Sequence, residues 1–94
     1  MKIIELDLTG CKYLADIHER IRVAFGFPEW YGKNWSAFWD LLWSECDACK
    51  VIIKGEYSLA VEFDESLGKM HEILERNKKE RANSDYPFDY EIVD

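Results

Sequence analysis

The run Gly26-Phe27-Pro28-Glu29-Trp30-Tyr31-Gly32-Lys33-Asn34-Trp35-Ser36-Ala37-Phe38-Trp39-Asp40-Leu41-Leu42-Trp43 joins two predicted helices, and the rest of the chain is read outward from it. Upstream, Leu14, Ile17, Ile21, Ala24 and Phe25 recur at helical spacing. Gly26 just past the last of them, with Pro28 two residues on, is a helix stop. This predicts a first helix over residues 12–25. Downstream, Asn34 is placed to cap a second helix over 35–45, its side chain accepting from an unpaired N–H of the first turn. In that helix Trp35, Phe38, Trp39 and Leu42 fall at i, i+3, i+4 and i+7, which is one apolar face. Residues 26–33 between the helices form an aromatic loop.

Strands flank this helical pair. Ile3, Ile4, Leu6 and Leu8 predict a strand over residues 2–8, ended by Thr9-Gly10. Val51-Ile52-Ile53 is a short β-branched run, a buried strand. Ser58 can cap a short helix over 58–63. Asp64 or Ser66 can cap a longer one with Leu67, Met70, Ile73 and Leu74 inward, fraying near Arg81. The polar run Glu75 to Asp85 reads as the solvated end of that helix. After Pro87, Phe88 to Val93 alternates apolar and acidic residues and predicts a third strand. Strands separated by helices pair in parallel. The expected fold is therefore α/β: one small layered domain over residues 1–94, with a three-stranded parallel sheet and about four helices.

Composition narrows the function. The chain has 94 residues and 48% apolar content, which argues against disorder. Its 12 Lys and Arg against 19 Asp and Glu give a net charge of −7. That lacks the footprint of a nucleic-acid binder and favours a basic partner. No apolar run is long enough to span a membrane, and the first residues carry no signal-peptide core. Three Cys form no disulfide framework and fit a reducing cytoplasm. Cys46-Asp47-Ala48-Cys49 follows a helix, where the dipole acts against a thiolate. Cys11, His18 and His71 do not complete a metal motif, and each His is read as packed or solvated. No cofactor, metal or catalytic residue is implied, so the chain is not expected to be an enzyme.

At 100° per residue, Trp35, Phe38 and Leu42 of the second helix point inward, flanked by Trp39 and Leu41. Lys33, Ser36, Asp40 and Trp43 point outward. Trp43 lies off the core stripe, which leaves it packed against a loop or exposed as an interface anchor. Asp40 has poor helix propensity mid-helix, and Lys33, seven positions earlier, is badly placed to neutralise it.

The stretch Phe27 to Asp40 resembles the signature of the barstar family, small intracellular inhibitors of secreted ribonucleases. That pattern runs apolar-Pro-Glu, two aromatics, Gly-any-Asn, then a helix reading apolar-Asp-Ala-apolar-Trp-Asp. The first strand, His18 on the first helix and the order of elements also suit the family. The resemblance implies three parallel strands backed by helices, with the second helix and the loop before it plugging a ribonuclease active site. It implies that Asp40 occupies the substrate-phosphate position, that Trp30, Gly32 and Asn34 line the binding loop, and that Ser36 and Trp43 frame the acid. Tyr31 and Trp35 are read as packing residues. Three positions depart from the pattern: Ser36 stands where the family often has Asp, Trp30 where it often has Tyr, and Arg76 where many members carry Glu. The expectation is a monomeric, cytoplasmic inhibitor whose partner is a protein, a secreted ribonuclease or nuclease toxin, with no direct contact to nucleic acid or membrane. The alternative is an immunity or adaptor protein against a non-ribonuclease toxin such as a DNase, which Ser36 and Arg76 favour.

Overall fold

The computed structural model describes residues 2–45 and 49–93. In chain order they form β1 (Lys2–Asp7), α1 (Leu14–Phe25), α2 (Trp35–Glu45), β2 (Cys49–Lys54), two 3-10 turns (Glu56–Ser58 and Val61–Phe63), α3 (Asp64–Glu80) and β3 (Phe88–Val93). The strands make one parallel sheet in the order β1-β2-β3. The register places Ile4 beside Val51 and Leu6 beside Ile53, and all four are buried beneath the helices. The opposite face is exposed. There the cross-strand pairs Lys54–Glu5 at 2.9 Å and Lys50–Glu91 at 3.5 Å replace a second helical layer. Parallel sheets are usually covered on both sides, so these charges are what makes the bare face compatible with water.

The ends of α1 are fixed by local chemistry. The Asp16 carboxylate accepts from the backbone N–H groups of Lys12 and Tyr13 at 3.1 and 3.0 Å, so the first turn starts two residues later than the apolar pattern suggests. Gly26 ends the helix as expected, at φ 72°, and Phe27 N donates to Arg22 O at 2.9 Å. Gly55 is required for a different reason. A Cβ there would strike the backbone of Thr9, where β1 and β2 come together through Leu8 N to Lys54 O at 2.8 Å.

The short helix expected over 58–63 is instead the pair of 3-10 turns, because Leu59 and Ala60 are extended between them. Ser58 does not cap a helix. Its hydroxyl donates to Gly55 O at 2.7 Å and accepts from Gly10 N at 3.3 Å, fastening the turn after β2 to the turn after β1. α3 begins without a side-chain cap. Asp64 and Glu65 sit inside its first turn, where they complement the helix dipole.

The polar end of α3 also differs from the sequence reading. The inward stripe Leu67, Met70, Leu74 continues into Asn77, fully buried, and Arg81, 7% exposed. Both polar atoms of the Asn77 amide are buried with no hydrogen-bond partner among the described residues. A buried orphan amide carries its full desolvation cost. Replacing Asn77 with Leu, close in shape and without polar atoms, is therefore expected to raise stability by about 1 kcal/mol, measured as a higher urea midpoint at unchanged slope.

Candidate protein-binding face

The loop between α1 and α2 is held by its own aromatic residues. Phe27 and Tyr31 are buried. Phe27 stacks on Phe25 at 5.2 Å between ring centres, and Phe38 of α2 meets the Phe25 ring edge-on at 5.7 Å. Tyr31 reaches under the loop, and its hydroxyl shares a 2.7 Å hydrogen bond with His18 Nδ1 on α1. The His18 ring also lies 4.4 Å from the ring of Trp35, in the first turn of α2. His18 is thus fully packed, and Tyr31 and Trp35 pack as expected, Trp35 half-buried. With Tyr31 drawn inward, its neighbour Trp30 is left 74% exposed.

The rest of the loop is tied by polar contacts. Asn34 spans the junction: its Oδ1 accepts from Ala37 N at 2.8 Å, and its Nδ2 donates to Gly32 O at 3.1 Å. The expected cap is present, and the same side chain also closes the loop. Lys33 between them has φ 50°, the left-handed region, and its ammonium lies 3.6 Å from Glu19. Glu19 in turn receives both Nε and Nη2 of Arg22, at 2.9 and 2.7 Å.

On α2 the helical-wheel reading holds. Phe38 and Leu42 are fully buried and Leu41 nearly so, while Ser36 and Asp40 are exposed. Trp43 is 48% exposed, between the two uses the sequence left open. Ser44 Oγ donates to the Asp40 carbonyl at 2.8 Å. Among the described residues, no hydrogen bond or ion pair engages the Asp40 carboxylate. An open groove of about 420 Å³ runs between α2 and α3, lined by Trp35, Ser36, Trp39, Asp40, Glu72, Ile73 and Arg76. It brings Ser36, Asp40 and Arg76 together, whereas Trp30, Gly32 and Asn34 belong to the loop and do not line it.

Along this groove the two helices are joined by alternating rings and cations. Trp39 and Trp43 stack at 5.8 Å with 25° between planes. The Arg76 guanidinium lies 4.7 Å from the centre of the Trp39 ring, and that of Arg81 lies 5.3 Å from Trp43. Arg81 Nη2 also donates to the carbonyls of Leu42 and Trp43 at 3.3 and 2.6 Å. It therefore satisfies the last carbonyls of α2 and complements the negative end of that helix. Arg81 was missed as a site residue because it was assigned to a fraying end. The signal was present: residues 67, 70, 74, 77 and 81 continue one stripe at helical spacing. Of the Cys46–Cys49 pair, Cys46 lies outside the described residues.

The loop and α2 thus combine a fixed aromatic loop, an acid unengaged among the described residues and partly exposed indoles. Over residues 1–93 the sequence matches the family model described as Barstar (barnase inhibitor). The chain belongs to the barstar family. No curated protein matches it. The three-stranded parallel sheet with helices against one face agrees with the fold that the resemblance implied. The family is one of ribonuclease inhibitors, not enzymes. No helix among the described residues is long and apolar enough to cross a membrane.

Two outcomes follow from the loop anchors. Burial, assisted by the positive charge of Lys33, lowers the His18 pKa below its ordinary value of 6.5. The unfolded chain then binds more protons at His18 than the folded one once the pH falls below 6.5. Stability is expected to be independent of His18 above that pH and to fall below it, down to the folded pKa. His18→Gln removes that part of the pH dependence in urea titrations. At Lys33, where an L-residue in the left-handed region costs about 1–2 kcal/mol, Lys33→Gly is expected to stabilise by up to about 1 kcal/mol after the entropy of glycine is charged. Lys33→Val at the same site lowers the melting temperature.

Proposed function

We propose that this barstar family member inhibits a ribonuclease by seating the 26–33 loop and the outer face of α2 in the enzyme's active-site cleft. The observation that carries the reading is the exposed Asp40 carboxylate, unengaged among the described residues on a helix fixed by its buried face. A ribonuclease cleft must stabilise phosphate charge with cationic donors. A carboxylate delivered there substitutes for the phosphate through charge-assisted hydrogen bonds. Trp43 and Ser36 stand beside Asp40, and Trp30 supplies exposed ring area on the loop. Gly32 and Asn34 act by shape. A Cβ on Gly32 would come within 3.1 Å of the Asn34 amide nitrogen that holds the loop closed. Because the loop is tied before binding, little ordering entropy is lost on association. The net charge of −7 steers the inhibitor toward a basic cleft, with a salt-dependent association rate. The protein acts as a single-domain monomer in the cytoplasm, without catalysing a reaction.

A second reading, an immunity protein against a non-ribonuclease toxin such as a DNase, is favoured by Ser36 and by the cationic Arg76 in the groove. The two separate in one experiment. Titration of secreted ribonucleases, barnase included, is expected to show stoichiometric inhibition of at least one. Asp40→Ala should weaken it by roughly 2–5 kcal/mol, a range for which the barnase–barstar complex is itself a reference case. A change below about 0.5 kcal/mol, the scale of an ordinary exposed charge, removes Asp40 from its assigned role. Inhibition of a DNase alone selects the second reading.

A further inference from the structure

The groove between α2 and α3 carries charges of both signs. Arg76 presents a side chain that is 66% exposed, with its guanidinium carbon 4.7 Å from the centre of the Trp39 ring. Its hydrogen bonding is sparse: Nε approaches Glu80 at 3.4 Å, and no ion pair among the described residues joins it to Glu72 on its own helix or to Asp40 across the groove. With most of the side chain exposed, donors remain for a carboxylate, which a guanidinium can grip in two parallel bonds. Trp39 is itself stacked on Trp43, and Trp43 rests on Arg81, so the ring beneath Arg76 does not move freely.

A partner that enters this groove to engage Asp40 also meets Arg76, because the two line it. Under a uniformly basic cleft this cation would keep only its 3.4 Å contact to Glu80 against burial and repulsion, which is unfavourable. We infer that the target presents an acidic side chain beside the cations that receive Asp40, and that Arg76, held against Trp39, pairs with it and selects for targets that have it. This rests on the reading of Asp40 as the cleft-binding acid, and it adds the chemistry of the partner's rim.

The test uses the ribonuclease that the full-length protein inhibits most tightly in the panel above. Inhibition constants are measured for Arg76→Ala, Arg76→Lys and Arg76→Glu, with Asp40→Ala alongside, and circular dichroism checks that each variant folds. Arg76→Ala is expected to weaken inhibition roughly tenfold and Arg76→Glu roughly a hundredfold or more, by repulsion. Arg76→Lys falls between them, keeping the charge and losing the planar fork. Replacing the Asp and Glu residues at the rim of the target's cleft with Lys, one at a time, is expected to yield one enzyme that restores binding of Arg76→Glu. If Arg76→Glu binds as well as or better than the unchanged protein while Asp40→Ala is impaired, the inference fails and the reading of Asp40 stands. If Asp40→Ala binds normally, that reading fails instead. If no ribonuclease is inhibited, both fall.

Discussion

A buried hydrogen bond of 2.7 Å between His18 and Tyr31 holds the contact face in shape. It joins α1 to the loop, and the same imidazole packs against Trp35 at the start of α2, so one side chain locates three segments. Its neutrality is part of this. Burial keeps the imidazole uncharged, and burial also pushes the Tyr31 phenol well above its usual range. A charge at either end of the bond would have to be desolvated without a counter-ion. The geometry that turns Trp30 outward follows from Tyr31 turning inward, since adjacent loop residues cannot share the same pocket.

α3 is the second support. It buries Leu67, Met70 and Leu74 in the core and then sends two arginines in opposite roles. Arg81 is buried and serves the carbonyls at the end of α2. Arg76 lies at the surface and meets the outer indole. Neither forms an ion pair with Asp40 among the described residues, so the helix gains cation–ring contacts without silencing its exposed acid. Farther along, β3 is tied to α3 through Tyr90 Oη to Glu75 at 2.9 Å and Lys78 to Asp89 at 3.0 Å. Burial, aided by Glu75, pushes the Tyr90 phenol up to about 12.

Much of this was legible in the sequence where local rules coincide with tertiary ones. The stop at Gly26, the cap at Asn34, the three strands and the outward set Ser36, Asp40 and Trp43 follow from periodicity and backbone chemistry, and the structure agrees. The legible signal failed where a long-range contact decided the outcome. Ser58 reads as a cap, but it is recruited to bridge two turns that are distant in sequence. Asn77 and Arg81 read as solvent-facing by composition, but their spacing places them under α2. Trp39 reads as a flank of the core, whereas stacking with Trp43 and Arg76 makes it the floor of a groove. The resemblance over residues 27–40 named the face that is proposed; the partners of its side chains came only from the fold.

All four tryptophans of the chain, Trp30, Trp35, Trp39 and Trp43, lie in the loop and α2. The molecule's indole fluorescence therefore originates wholly in the loop and α2, the face proposed to meet the ribonuclease. Trp35 reports on the imidazole behind it, the stacked pair reports on the groove as a coupled chromophore, and Trp30 reports on solvent. Occupation of that face would change the emission directly, so the proposed engagement carries its own optical readout.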